Sequence, residues 1–222
     1  MRHFEQELDQ LRTTLIRMAS LVDEQIDAGV RAILQADSAL ARRVMERDKE
    51  VDMFDNDIDH LCMKILALTQ PVAIDLRLLM AALKINNELE RIGDIAVNLA
   101  ERVEPLLPHA AFVKQTRIGE MADAARMMVK QAIDAFVNSD ANLARSVLEA
   151  DDRIDALDAE NFRRMIDAMK STPENILPGA HMMIISRHIE RLADHATNIA
   201  EDVIFIINAR IIKHHADEHR KS

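Results

Sequence analysis

The chain states one pattern twice, and that duplication limits the folds open to it. Asp48-Lys49-Glu50-Val51-Asp52 returns 103 positions later as Asp151-Asp152-Arg153-Ile154-Asp155, and Glu90-Arg91-Ile92-Gly93-Asp94 returns 100 positions later as Glu190-Arg191-Leu192-Ala193-Asp194. The flanks agree too. Asp37, Leu40, Ala41 and Arg42 correspond to Asp140, Leu143, Ala144 and Arg145, while Ala96, Asn98, Ala100 and Glu101 correspond to Ala196, Asn198, Ala200 and Glu201. The offset shifts by three between the blocks, which places a small length difference in the connection between them. A period near 100 residues is too long for a solenoid unit and suits a duplicated subdomain.

Composition decides what each copy is made of. The 222 residues include no Trp, no Tyr, four Gly and five Pro, which disfavours a sheet protein, whereas Ala, Leu, Met, Glu and Arg favour helix. Leu8, Leu11, Leu15, Met18, Val22, Ile26 and Ile33 keep three-four spacing and predict a first long amphipathic helix ending near Gln35 to Asp37. Asp37 or Ser38 then caps a second helix to about Thr69, and a third runs from about Ile74 to Val103. The second copy repeats the plan: a helix from about Gln115 to Asn138, one capped by Ser139 or Asp140 and reaching Met169, and one from Ala180 to Ile212. Pro71, Pro105, Pro108, Pro173 and Pro178 fall between these runs. The expected fold is all-α, with six long helices forming two pseudo-symmetric, tightly associated three-helix bundles. Their bounds are 1–107 and 108–222, joined near Pro105 to Val113.

A net charge of −10, with no basic stripe, opposes binding to a nucleic acid. Cys62 is the single cysteine, which excludes an intrachain disulfide and fits a reducing compartment; its apolar neighbours Leu61 and Ile65 point to burial. The opening segment turns acidic at Glu5 and Glu7, unlike a secretory leader, and the apolar tract Ile199 to Ile212 is interrupted by Glu201, Asp202, Asn208 and Arg210. A soluble, cytoplasmic protein is expected. Met80, Met127, Met128, Met182 and Met183 read as core filler, and the His214-His215 to His219 tail reads as a frayed, solvated end.

Residues four apart share a helix face, because each advances about 100°. Glu90 and Asp94 therefore stack, with Glu101 close to their line, and Asp48, Asp52, Asp55 and Asp59 form a similar line on the second helix. Glu190, Asp194 and Glu201, with Asp151, Asp155 and Asp158, repeat the arrangement. Stacked like charges cost roughly 0.2–0.5 kcal/mol per pair in an isolated helix. Arg91 and Arg191 offset part of that, and a bound cation would offset more. The plainer reading is a solvated helix face, since the apolar stripe of the last helix points away from Glu190 and Asp194. All-oxygen donors suit hard cations such as Mg, Ca, Mn or oxidised iron without choosing among them. A ferritin-like centre is not expected, because paired Glu-x-x-His motifs are missing. His195 sits 100° off the acidic line and is expected to serve helix packing or solvent. Gly-rich phosphate loops, Gly-x-Ser-x-Gly and zinc-type cysteine patterns are absent.

Taken together, these residues resemble the PhoU family of phosphate-regulon accessory proteins. Gln70-Pro71-Val72-Ala73-Ile74-Asp75-Leu76-Arg77 is similar to that family's Pro-x-x-x-Asp-Leu-Arg start of the third helix, and Glu88-Leu89-Glu90-Arg91-Ile92-Gly93-Asp94 to its most recognisable segment. The likeness covers about residues 4 to 212. It implies a non-enzymatic negative regulator of the phosphate-starvation response that modulates phosphate uptake. Such a protein acts between the ATPase subunit of the phosphate ABC importer and a sensor histidine kinase, reaching the membrane through those partners, with a homodimer as the expected assembly. It also implies multinuclear iron clusters, or other hard divalent cations such as Mg, Mn or Zn. Carried onto this chain, one site uses Asp48, Asp52, Glu90 and Asp94, and the other Asp151, Asp155, Glu190 and Asp194. Two departures touch the second site: Ile176-Leu177-Pro178-Gly179-Ala180-His181 replaces the Pro-x-x-x-Asp-Leu-Arg pattern, and Ala193 stands where Gly93 does. The alternative function is a metal-storage or redox protein.

Overall fold

A computed structural model describes residues 2–69, 71 and 74–208. The chain runs α1 (Arg2–Gln35), α2 (Ser38–Thr69) and α3 (Ile74–Glu101), then the short α4 (Val103–Leu106), a 3-10 turn (Leu107–His109) and α5 (Ala110–Val113). The second copy follows as α6 (Ile118–Asn138), α7 (Ala141–Ser171), a 3-10 turn (Pro173–Asn175) and α8 (Ile176–Asn208). Among the described residues there are six long helices and no strand. No described helix is long and apolar enough to cross a membrane.

The duplication extends to its corners. Ala36 and Ser139 occupy the left-handed region, with φ of 56° and 53°. At each, the next amide closes the preceding helix: Asp37 N–H donates to the Ala32 carbonyl and Asp140 N–H to that of Ala135, both at 2.9 Å. Each aspartate then caps the following helix. Asp37 Oδ1 accepts from Leu40 N–H at 2.9 Å, and Asp140 Oδ1 accepts from Asn142 and Leu143 N–H at 2.9 and 3.0 Å. The aspartates, not Ser38 or Ser139, are therefore the caps. Neither left-handed position is a glycine, so each corner carries about 1–2 kcal/mol of backbone strain.

Three boundaries differ from the sequence expectation. Helix α6 starts at Ile118 rather than near Gln115, because the fully buried Asn161 of α7 accepts the Arg117 N–H at 3.0 Å and serves as a cap from another helix. Helix α8 starts at Ile176, four residues before Ala180, with Pro178 inside its first turn, where no N–H is required. Helix α3 stops at Glu101, and α4 takes Val103 and Pro105 into a separate turn. Residues 70, 72 and 73 of the Gln70 to Arg77 segment, and the whole His214 to His219 tail, lie outside the described residues.

Within each copy the three long helices pack on one another, and the copies meet along two antiparallel pairs, α3 with α8 and α1 with α6. The predicted stripes form the core: Leu11, Leu15, Met18, Val22, Ile26 and Ile33 from α1, and Ile189, Leu192, Ala196, Ile199, Val203 and Ile206 from α8 are all buried. Gly93 lets α2 approach α3, since a Cβ there would lie 3.1 Å from Val51 Cγ1. Cys62 is fully buried, and burial first, then the charge of Asp59, pushes its thiol up to about 12, so it is a small hydrophobe here. The methionines divide. Met128 and Met182 are core residues and Met183 packs against the core, but Met80 and Met127 are about half exposed and do not fill it.

Candidate functional site

Where α2 lies against α3, Asp48, Asp52 and Asp55 of α2 lie within electrostatic reach of Glu90 or Asp94 of α3, and Asp59 adjoins Asp55. Their mutual influence defines the seam. Burial, then the charges of Asp52 and Asp94, raises the Asp48 carboxyl above its ordinary range. Burial, then Asp94 and Asp55, raises Glu90, with Arg91 opposing and Asp52 adding. Burial, then Asp59 and Asp52, raises Asp55. The four residues proposed for the first site therefore do come together, with Asp48 and Glu90 half-buried and Asp52 and Asp94 exposed.

The α7–α8 seam repeats this with small changes. Burial, then Asp194, raises the Glu190 carboxyl, Arg187 opposes, and Asp158 and Asp155 add. Asp155, Asp158, Glu190 and Asp194 are thus brought into one field. Asp151 lies on α7 and is buried, unlike its half-buried counterpart Asp48. Arg187 supplies the nearest cation, 2.5 Å from Glu190 Oε1, while the second Glu190 carboxylate oxygen is buried without a hydrogen bond.

Two residues that the sequence reading passed over anchor the seams. Asn86, buried, donates to Asp55 Oδ1 at 2.7 Å and to Asp59 Oδ1 at 3.2 Å. Ser186, also buried, donates to Asp158 Oδ1 at 2.6 Å. They stand 100 positions apart and four residues before Glu90 and Glu190, so a polar residue recurring inside an otherwise apolar stripe was the available signal.

Other expected members lie elsewhere. Glu101 lines a hollow with Ser38, Arg42 and Glu104 at the α2–α3 end. Glu201 lines a groove of about 440 Å³ between α3 and α8, with Met80, Lys84, Glu88 and Asp202. Arg91 bonds Asn87 at 3.0 Å instead of pairing fully with the acids. His195 is a packing residue: buried between the copies, its Nδ1–H donates to Glu88 Oε2 at 2.6 Å, and Asn198 donates to the same oxygen at 3.1 Å. Burial pushes the Glu88 carboxyl up, but these bonds outweigh it and hold the group below its ordinary range.

Among the described residues, no three carboxylate, imidazole or thiol side chains converge closely enough to hold an ion as they stand. The donor chemistry nonetheless suits a hard cation, because carboxylates of adjacent helices raise one another's proton affinity and are only partly answered, as at Glu190, where Arg187 meets Oε1 while Oε2 has no hydrogen-bond partner. The sign of the pH effect follows. Asp48, Asp55, Glu90 and Glu190 bind protons more readily folded than unfolded, so the burial of their charge, and after it their mutual repulsion, opposes folding at neutral pH. Stability from this source rises as pH falls through the raised values and is fully gained below the ordinary range near 4. Metal-free protein should thus melt higher on mild acidification, and Mn²⁺ at neutral pH should act in the same direction. The E90Q/E190Q double variant should blunt both effects; a pH-melting profile identical in parent and variant would contradict this.

Fold and seams together define a duplicated all-helical protein with one carboxylate seam per three-helix repeat. The PhoU domain family model matches residues 15–103 and again 118–203, and the chain belongs to the PhoU family. It is 36% identical over 217 residues to the phosphate-specific transport system accessory protein PhoU homolog of Pseudomonas putida, covering 96% of this chain and 84% of that protein. It is also 36% identical over 208 residues to the homolog from Aquifex aeolicus, covering 94% of each. The crystal structure of PhoU from Pseudomonas aeruginosa matches with a TM-score of 0.85 at 36% identity, over 93% of this chain and 100% of that one. The phosphate transport system regulatory protein PhoU from Streptococcus pneumoniae matches with a TM-score of 0.86 at 25% identity, over 95% and 99%.

Proposed function

We propose that this chain is a cytoplasmic, non-enzymatic regulator of phosphate uptake that keeps the phosphate-starvation response off when phosphate is plentiful. It works as an adaptor, a homodimer binding both the ATPase subunit of a phosphate ABC importer and a sensor histidine kinase. The observation that carries this reading is the match of both copies to the PhoU domain, joined to relatives named as accessory proteins of phosphate-specific transport. The adaptor role is tested with purified components. Immobilised importer ATPase and, separately, the kinase's cytoplasmic portion should each retain the full chain; retention of neither overturns the adaptor.

The seams support a second element of the reading. Asp48, Asp52, Glu90 and Asp94 would hold one hard cation or iron cluster, and Asp151, Asp155, Glu190 and Asp194 another. A cation bound there supplies the positive charge that the facing carboxylates lack. The chain's own part is to hold those oxygens on two helices of each repeat, with Asn86 and Ser186 fixing the neighbouring Asp55 and Asp158. This arrangement ties the angle between α2 and α3, and between α7 and α8, to the charge state of the seam.

A further inference from the structure

The junction of α3 with α8 ends differently on its two sides. At one end every charge has an answer: Lys84 Nζ donates to Asp202 Oδ1 at 2.6 Å, and Glu88 receives His195 and Asn198. The repeat offset of 100 places Ile184, His188 and Arg102 at the positions of Lys84, Glu88 and Asp202 at the other end. There the charge pair is missing. Arg102 is half-buried, its guanidinium enters no ion pair among the described residues, and its Nε is buried with no hydrogen-bond partner. The Nδ1 atoms of His181 and His188 are buried and unpartnered as well.

These groups share one neighbourhood. The charge of Arg102 bears on both imidazoles, His109 adds to it at His181, Arg191 adds to it at His188, and Glu101 is the one carboxylate that pushes back, at His188. Burial is the first cause holding both imidazoles below the usual histidine range, so the arginines carry the positive charge here. An arginine N–H only donates, and a buried donor left unanswered costs about 1–3 kcal/mol. Water can answer a donor, but it cannot neutralise a guanidinium. A multi-oxygen anion does both, and it can accept from an imidazole whose proton sits on Nδ1.

We propose that this end of the α3–α8 junction, formed by Arg102, His181 and His188, is a binding site for a phosphate-type oxyanion. His181 and His188 are seven residues apart on α8, about 10 Å along its axis, so an anion with two phosphoryl groups engages more of the site than orthophosphate does. Anion binding here and the regulatory role fail independently, since one is read on purified protein and the other in cells.

The test titrates the full chain with pyrophosphate and with orthophosphate, at neutral pH and constant ionic strength set with chloride, following the imidazole NMR resonances. Saturable shifts at His181 and His188 are expected, reached at lower concentration with pyrophosphate. Arg102→Met should weaken binding roughly tenfold. Ile184→Glu, at a position 39% exposed, restores an internal carboxylate for Arg102 and should weaken binding similarly without disturbing the core. If Arg102→Met fails to fold, Ile184→Glu decides. No saturable shift with either phosphate probe, equal shifts with chloride alone, or unchanged affinity in the folded variants overturns the site.

Discussion

Ile92→Ala should lower the unfolding free energy by about 2–5 kcal/mol, as should Leu192→Ala at the equivalent position of the second copy. Both side chains are fully buried, on α3 and α8, the helices that also join the two copies. Truncation there removes apolar burial and leaves a cavity between helices that cannot close independently, because each packs on its own repeat and on the other one. Chemical denaturation reads the outcome. The midpoint should fall with the slope unchanged, while helical content before the transition stays that of the parent. A loss below about 1 kcal/mol in both variants would mean that the α3–α8 core is less tightly packed than described.

Arg126→Met should cost about 1–3 kcal/mol, and the cost should shrink at high salt. Arg126 is the clamp between α1 and α6. Its Nε and Nη2 reach the two Asp23 oxygens at 3.0 and 3.2 Å, and its Nη1 reaches Asp27 Oδ1 at 2.6 Å. Burial pulls the guanidinium's proton affinity down, but Asp23, Asp27 and Asp123 outweigh it and hold it above the ordinary value. Removing the cation therefore leaves Asp23 and Asp27, one turn apart on α1, without their partner from α6 at the inter-repeat boundary, although Arg31 still reaches Asp27 at 3.4 Å. Denaturation at low and high ionic strength tests this; a variant as stable as the parent at both would show that the clamp contributes nothing.

That clamp also shows where sequence reasoning ends. The repeat offset of 103 makes Arg126 the counterpart of Asp23, so the pair joins equivalent positions across the pseudo-two-fold relation. The offset was legible, but their meeting depends on how α1 lies on α6, which no local pattern encodes. The six long helices followed from three-four spacing, and cap chemistry narrowed each corner to an aspartate or its neighbouring serine, because those signals act within a few residues; the choice of Asp37 and Asp140 came from the structure. The start of α6 did not, since the cap is Asn161, 44 positions away. Met80 and Met127 were misplaced for a similar reason: methionine suits a core and a surface alike, and only tertiary packing separates them. At the seams, the repetition of Asp48, Asp52, Glu90 and Asp94 marked carboxylates that the structure places within one another's electrostatic influence. Missed were Asn86 and Ser186, whose role appears only once α2 lies on α3 and α7 on α8.

The most direct test of the regulatory role is a phosphate-repressible alkaline phosphatase reporter in a strain lacking this gene, grown in excess phosphate. High reporter activity is expected, returned to the repressed level by the gene supplied in trans. Full repression in the deletion strain would contradict that role.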